Sequence, residues 1–420
     1  MVKQPDLAEQ SDSGLKDWPE GLISRIPYWV YSDPDVYRRE QERIFDGPHW
    51  SYVGLTIEIP KAGDFKSTFI GERPVVVVRN REGRVSVFEN HCPHRGIKFC
   101  QKDFGNASKI ICPYHQWTFN LDGKLLGVPF KRGVKGQGGM PEDFNTEDHG
   151  LRKLQVTERN GVIFASFDPK VPNLEEYLGE RMLGYFDRVF NGRELKLLGY
   201  LRQRIPANWK LMHENIKDPY HTALMHVFFV TFGLFRADHE GAMEIDETGR
   251  HATLVTKGSK EGHLHEATAG VDTFKEGMKL NDRSIIDVVE EGFWNGYRAV
   301  IQSLFPNVII YQNMNSLGTR QILPRGAGSF DFVWTLFGFA DDSEEMTQRR
   351  LRHASLFGPS GYVSMDDGEV LAMAQRGLET FPDMMALAEL GGKEACSADH
   401  VITETAIRSL YKYYQTIMKR

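Results

Sequence analysis

A chain of 420 residues with 41% apolar and 26% charged side chains is long enough for two folded domains and too evenly mixed to be disordered or fibrous. Its net charge of −6 offers no basic footprint for nucleic acid or an anionic membrane, and no run of about 18 apolar residues could span a bilayer. The polar start MVKQPDLAEQSDSG lacks a signal-peptide core, which predicts a cytoplasmic protein; there Cys92, Cys100, Cys112 and Cys396 are poor disulfide candidates, and clustered Cys and His read first as metal ligands.

In chain order, SDPDVYRREQERIF predicts a helix started by Asp-Pro. Residues 73–90 predict two strands around Asn80-Arg81-Glu82-Gly83, and TFNLDGKLLGV predicts a second hairpin around Asp122-Gly123. GVIFASFD (161–168) closes this β-rich region, and the charged stretch 169–195 reads as a helical boundary. Beyond it come a helix across WKLMHENIKDPYH and strands at HATLVTK, NVIIYQNMN, TRQILP and SFDFVWTLFGF. The chain ends in a helix whose Ile407, Leu410, Tyr411, Tyr414 and Met418 form one apolar stripe.

Two arms between the hairpins carry the first chemistry: Cys92-Pro93-His94 and Cys112-Pro113-Tyr114-His115. Zinc fingers commonly pair Cys with Cys and His with His, whereas here each arm supplies one of each. That symmetry suits a [2Fe–2S] centre with two thiolates on one iron and two imidazoles on the other, and structural zinc stays open as the alternative. Cys100 fits no ligand slot and reads as a buried small apolar residue, and His91 lies outside the pattern.

The second candidate is NWKLMHENIKDPYHTALMH (208–226). His213-Glu214 is not followed by a second His at the HExxH step, which excludes a zincin. His221 and His226 could join a carboxylate in a facial triad for non-haem Fe(II). Five residues of regular helix turn the second by about 140° from the first, so the pair converges only where the helix is wide or broken, by Pro219 or a π-bulge. GVKGQGGMP lacks the Gly-x-Gly-x-x-Gly order and a βαβ setting, which leaves no nucleotide site and makes another protein the electron source.

The arms, as Cys92-Pro-His94-Arg-Gly and Cys112-Pro-Tyr-His115-x-Trp117 with seventeen residues between, resemble the Rieske box. Glu214-Asn215-x-x-Asp218-x-Tyr220-His221-x4-His226 resembles the iron motif of Rieske non-haem iron ring-hydroxylating oxygenases, and the similarity spans essentially the whole chain. The resemblance implies an α+β architecture: an N-terminal segment (1–40), an all-β Rieske domain (41–160), and a helix-grip catalytic domain with a central antiparallel sheet (161–420). It implies Cys92, His94, Cys112 and His115 on the cluster, and His221, His226 and, from an acidic pair before a helix in SMDDGEVLAMAQ, Asp367 on Fe(2+). Asp366 is then a capping or supporting group, Tyr220 supports the iron site, and Asp218 bridges a cluster histidine of one subunit to an iron histidine of its neighbour. The implied partners are a ferredoxin and reductase fed by NAD(P)H, a small β subunit, and an α3 or α3β3 assembly.

Substrate signals are thinner. Phe228, Phe229, Phe232 and Phe235 could line an apolar pocket, and Arg320 could hold a carboxylate. The phrases RQRIPANWKLMHENIKDPYH and GVDTFKEGMKLND resemble salicylate 5-hydroxylases, with anthranilate 1,2-dioxygenases nearby, which implies an ortho-substituted benzoate and, first, conversion of salicylate to gentisate. Terephthalate dioxygenases carry a second Arg where this chain has His400, so a second cation is not expected there. Outside the oxygenases, a Rieske electron carrier and a zinc-stabilised binding protein are the competing classes.

Overall fold

The computed structural model describes residues 18–259 and 264–419, so the polar start of the N-terminal segment lies outside the described residues. Asp33 caps helix α1 (Pro34–Glu40) by accepting from the Asp35 and Val36 amides, and Pro34 fits its first turn. The segment from Trp18 onward packs on the C-terminal helix: the Trp18 ring lies 5.6 Å from Tyr411, and the Tyr411 hydroxyl is 3.0 Å from that of Tyr31.

The β-rich front is built from short antiparallel sheets. Strand β1 (Ser51–Leu55) precedes β2 (Asp64–Ile70), β3 (Arg73–Arg79) and β4 (Val85–Glu89); β5 (Phe104–Asn106) pairs on the other edge of β2. A smaller sheet holds β6 (Ile110–Ile111), β7 (Thr118–Phe119) and β8 (Leu125–Gly127). The expected hairpins therefore form, turning at 80–84 and 120–124. Strands β9 (Gln155–Arg159) and β10 (Val162–Ser166) close the region by pairing β10 with β1. Cys92 and Cys112 sit in one apolar cluster with Val76, Val78, Phe88 and Trp117, which anchors both loops.

Helix α2 (Leu174–Val189) leads into a seven-stranded antiparallel sheet: β11 (Leu195–Ile205), β12 (His239–Ile245), β13 (Ala252–Ser259), β14 (Ala299–Leu304), β15 (Val308–Asn313), β16 (Ser316–Pro324) and β17 (Phe330–Phe339). Their spatial order is β11-β17-β16-β15-β14-β13-β12, a meander whose first strand reaches across to pair with the last. β15 and β16 join through Met314 at φ +53°, a tight turn that sets the register Asn313 opposite Ser316. Strands β11, β12 and β14 carry no clean alternation, so propensity did not single them out; sheet pairing made them. Among the described residues, no helix is long and apolar enough to cross a membrane.

Between β11 and β12 the chain forms three short helices, α3 (Trp209–Ile216), α4 (Pro219–Met225) and α5 (Val227–Phe232). The single helix expected across WKLMHENIKDPYH is thus two: it stops at Lys217, and Asp218 caps a new start with Pro219 in its first turn. Helices α6 (Glu344–Phe357), α7 (Ser364–Thr380) and α8 (Thr405–Lys419) follow the sheet.

Candidate metal centres and active site

Two facing loops present the first ligand set. The rings of His94 and His115 meet at 4.5 Å, and Trp117 stacks on His94 at 4.7 Å with planes 4° apart. Cys92 and Cys112 are fully buried behind them. The Nδ1 atoms of both histidines are buried with no hydrogen-bond partner among the described residues, an expensive arrangement unless they face a metal. Burial pushes the Cys92 thiol up to about 11, so a thiolate there needs a cation beside it. Among the described residues, three or more metal-ligating groups close to within 4.8 Å only at His221, His226 and Asp367. The four Cys and His side chains are therefore spread wider than one zinc ion requires, and they fit a two-iron cluster.

Cys100 departs from expectation. It is half-buried rather than buried, and its sulfur accepts from Ser67 Oγ at 3.2 Å.

At the second set, the helix breaks at His226 itself (φ −79°, ψ 92°), between α4 and α5. Neither Pro219 nor a π-bulge brings the histidines together; the extended residue does. His226 Nε2 then lies 3.3 Å, and His221 Nε2 3.5 Å, from Asp367 Oδ1. Ligands at about 2.1 Å from one ion at right angles sit about 3.0 Å apart, so this spacing fits a facial triad. Burial opposes charge on Asp367, but the two imidazoles outweigh it and hold the carboxyl well below its usual range.

Each opposite ring nitrogen faces a carboxylate. His226 Nδ1 is 3.3 Å from Asp366 Oδ2, and His221 Nδ1 is 3.4 Å from Asp218 Oδ2 without hydrogen-bond alignment. This orientation leaves both Nε2 atoms for metal. Asp366 and Asp367 do not precede helix α7 as expected; they lie inside its first turn, and Asp366 makes no cap. Asp218 does two jobs, since Oδ1 accepts from the Tyr220 and His221 amides while Oδ2 turns to the ring.

His213 points elsewhere, to Ser303 Oγ and the Pro306 carbonyl. Tyr220 is exposed rather than tucked against the site. Asn215, for which the motif suggested no role, donates to Asp367 Oδ1 at 3.1 Å and approaches His221 Nε2 at 3.2 Å.

The triad opens into a cavity of about 80 Å³. Phe229 and Phe235 line it. Phe228 and Phe232, one turn apart on α5, pack on each other instead, and Phe228 stacks on Tyr362. Arg320, on β16, also lines the cavity, its guanidinium carbon 4.3 Å from the Tyr311 ring and 4.1 Å from that of Trp334. His400 is exposed and away from it. A second cation does reach the cavity: Arg298, just before β14, which no motif had marked.

Comparison with known proteins matches residues 49–137 to the Rieske [2Fe-2S] domain and residues 192–420 to the ring hydroxylating alpha subunit (catalytic domain). The chain is 54% identical to the salicylate 5-hydroxylase large oxygenase component of Ralstonia sp, covering 96% of each chain. It is 43% identical to the anthranilate 1,2-dioxygenase large subunit of Burkholderia cepacia, covering 98% of this chain and 97% of that one. In fold it is similar to naphthalene 1,2-dioxygenase from Rhodococcus sp. bound to indole, with a TM-score of 0.77 at 24% identity over 94% of each chain.

Proposed function

The chain belongs to the Rieske-type ring-hydroxylating oxygenases as a large (alpha) subunit, and from that premise we propose that it hydroxylates an ortho-substituted benzoate, first of all salicylate to gentisate. In that reaction one atom of O2 enters the ring C–H bond and the other leaves as water, with two electrons and a proton drawn from NAD(P)H and one further proton from solvent. Anthranilate 1,2-dioxygenation is the second reading, supported by the relative that is 43% identical.

The observation that carries the substrate class is Arg320. A buried guanidinium beside an apolar wall, in the cavity that the triad opens into, is built to take the carboxylate of an aromatic acid. The Tyr311 and Trp334 rings, 70° apart, hold the guanidinium from two adjacent sides, and Phe229 and Phe235 give the cavity an apolar wall for the ring.

In this reading Cys92, His94, Cys112 and His115 hold the cluster, and His221, His226 and Asp367 hold Fe(2+). When bound, the cluster supplies single electrons and the iron activates O2. Asp366 holds the His226 imidazole in the tautomer that leaves Nε2 free, and the Asp218 carboxylate faces His221 Nδ1. The Asp218 side chain is partly exposed, which supports a bridge to a cluster histidine of a neighbouring subunit and hence an α3 or α3β3 assembly with a small β subunit. A ferredoxin and reductase deliver the electrons, and the cytoplasm is the compartment. The working division is 1–40, 41–160 and 161–420. A bare Rieske electron carrier or a zinc-stabilised binding protein has no use for the second ligand set or for the cavity beside it.

The test is product analysis of the enzyme reconstituted with ferredoxin and reductase. Salicylate should give gentisate, and loss of turnover in Asp367→Ala should accompany loss of mononuclear iron with the cluster spectrum intact. Failure on salicylate and anthranilate alike would sink the ortho-substituted class.

A further inference from the structure

Arg298, just before β14, and Arg320, in the middle of β16, both line the cavity that holds His221, His226 and Asp367. Neither is neutralised there. Arg320 Nε is buried without a hydrogen-bond partner, and the carboxylate that influences it is Asp367, itself turned to the histidines. Arg298 Nε is likewise buried and unpartnered, and among the described residues no carboxylate forms an ion pair with its guanidinium. Burial alone lowers the pKa of Arg298 from its usual value, with no anion acting against it. A half-buried guanidinium without a counter-charge costs stability, so its retention beside an active site points to a ligand that supplies the missing anion.

The backbone fixes where this cation stands. The Arg298 amide donates to Thr256 O at 2.7 Å, and its carbonyl accepts from the Met314 amide at 3.0 Å and from Gln312 Nε2 at 2.8 Å. Thr256 and Met314 are themselves part of the cavity wall, so Arg298 is held on three sides by the sheet that shapes the site. His400 is exposed and plays no part in this wall.

We infer that Arg298 is a second, specificity-determining anion contact, which together with Arg320 selects ring substrates carrying a carboxylate over their neutral isosteres. This rests on the aromatic-acid reading above. The two guanidiniums divide the acceptor oxygens of an aromatic acid between them, and a neutral ring of the same shape leaves both unpaired.

The experiment compares the reconstituted holoenzyme with Arg298→Gln and Arg298→Lys on salicylate and on salicylamide, its neutral isostere. Loss of one charge-assisted contact should raise KM for salicylate by about ten- to hundredfold with kcat moving far less, while KM for salicylamide stays in place. Arg298→Lys should recover part of the loss, because it restores charge without the planar fork. Calorimetric binding of the two compounds should follow the same split. If both compounds weaken equally in Arg298→Gln and Arg298→Lys, the residue is structural and the inference is overturned. An Arg298→Gln enzyme that keeps the wild-type preference for acids would overturn it alone. A wild type that takes salicylate, anthranilate and benzoate no better than their amides would bring down the aromatic-acid reading with it.

Discussion

Asp366 Oδ2 lies 3.3 Å from His226 Nδ1, on the side of the ring opposite Asp367. The adjacent acids of helix α7 thus face one imidazole at both nitrogens, Asp367 on the side of the candidate iron site and Asp366 on the other. Asp366→Ala should keep the fold and the cluster spectrum and weaken iron retention by about ten- to hundredfold, the usual cost of losing such a support. Iron content after dialysis against a chelator, compared with Asp367→Ala, measures it; equal loss in both variants would place Asp366 among the ligands.

Helix α7 can bring those acids in because residue 368 is glycine. A Cβ there would stand 2.2 Å from Gln203 Nε2, and Gln203 cannot swing away freely, since its amide is tied at both ends to Ser364, donating to the carbonyl and accepting from the hydroxyl. Gly368→Ala should therefore push α7 from β11, costing about 1–3 kcal/mol and displacing Asp367. Thermal unfolding and iron content should fall together, and a variant with wild-type values for both would show that the contact relaxes for free.

How much of this was legible in the sequence depends on the range of the interaction. The two Cys/His arms and the His221 and His226 pair were readable as candidate ligands because each lies within one short segment whose residue types carry the chemistry. The position of the helix break was not, because it sits in the extended backbone of His226 and is held by packing around α4 and α5. Strands β11, β12 and β14 were missed for a related reason: their side chains do not alternate, and only pairing with neighbouring strands, for β11 with the distant β17, makes them strands. Arg298 had no motif around it, and becomes conspicuous only when the sheet places it on the wall of the cavity that Arg320 also lines.

Asp218 separates capping from relay. Its Oδ1 serves the α4 amides and its Oδ2 faces His221, so Asp218→Asn preserves the acceptor for the cap and removes the charge beside the ring. The expected result is a cluster that still accepts electrons from ferredoxin but passes them on at a rate reduced by at least about tenfold, with iron retained. Stopped-flow reoxidation of the reduced cluster in the presence of substrate and O2 reads this directly. Wild-type reoxidation would leave Asp218 as a helix cap.

Lys217 tests the interior one residue away. Its Nζ is buried without a hydrogen-bond partner, and burial pushes its pKa down to about 7, with Asp246 recovering only part of the charge stabilisation. An unfolded lysine titrates near 10.4, so between about pH 7 and 10.4 the unfolded chain binds more protons and stability rises with pH. Below about pH 7 both states are charged and the folded state carries the full desolvation cost. Lys217→Met should therefore be more stable than wild type at pH 6, by on the order of a few kcal/mol, and the gap should close toward pH 10. The neighbouring His213 and His251, whose pKa values burial also lowers, are present in both proteins and largely cancel in the difference. Unfolding midpoints of the two proteins at pH 6, 8 and 10 decide the matter, because a gap that does not change with pH would mean the amine finds its charge partner inside the fold.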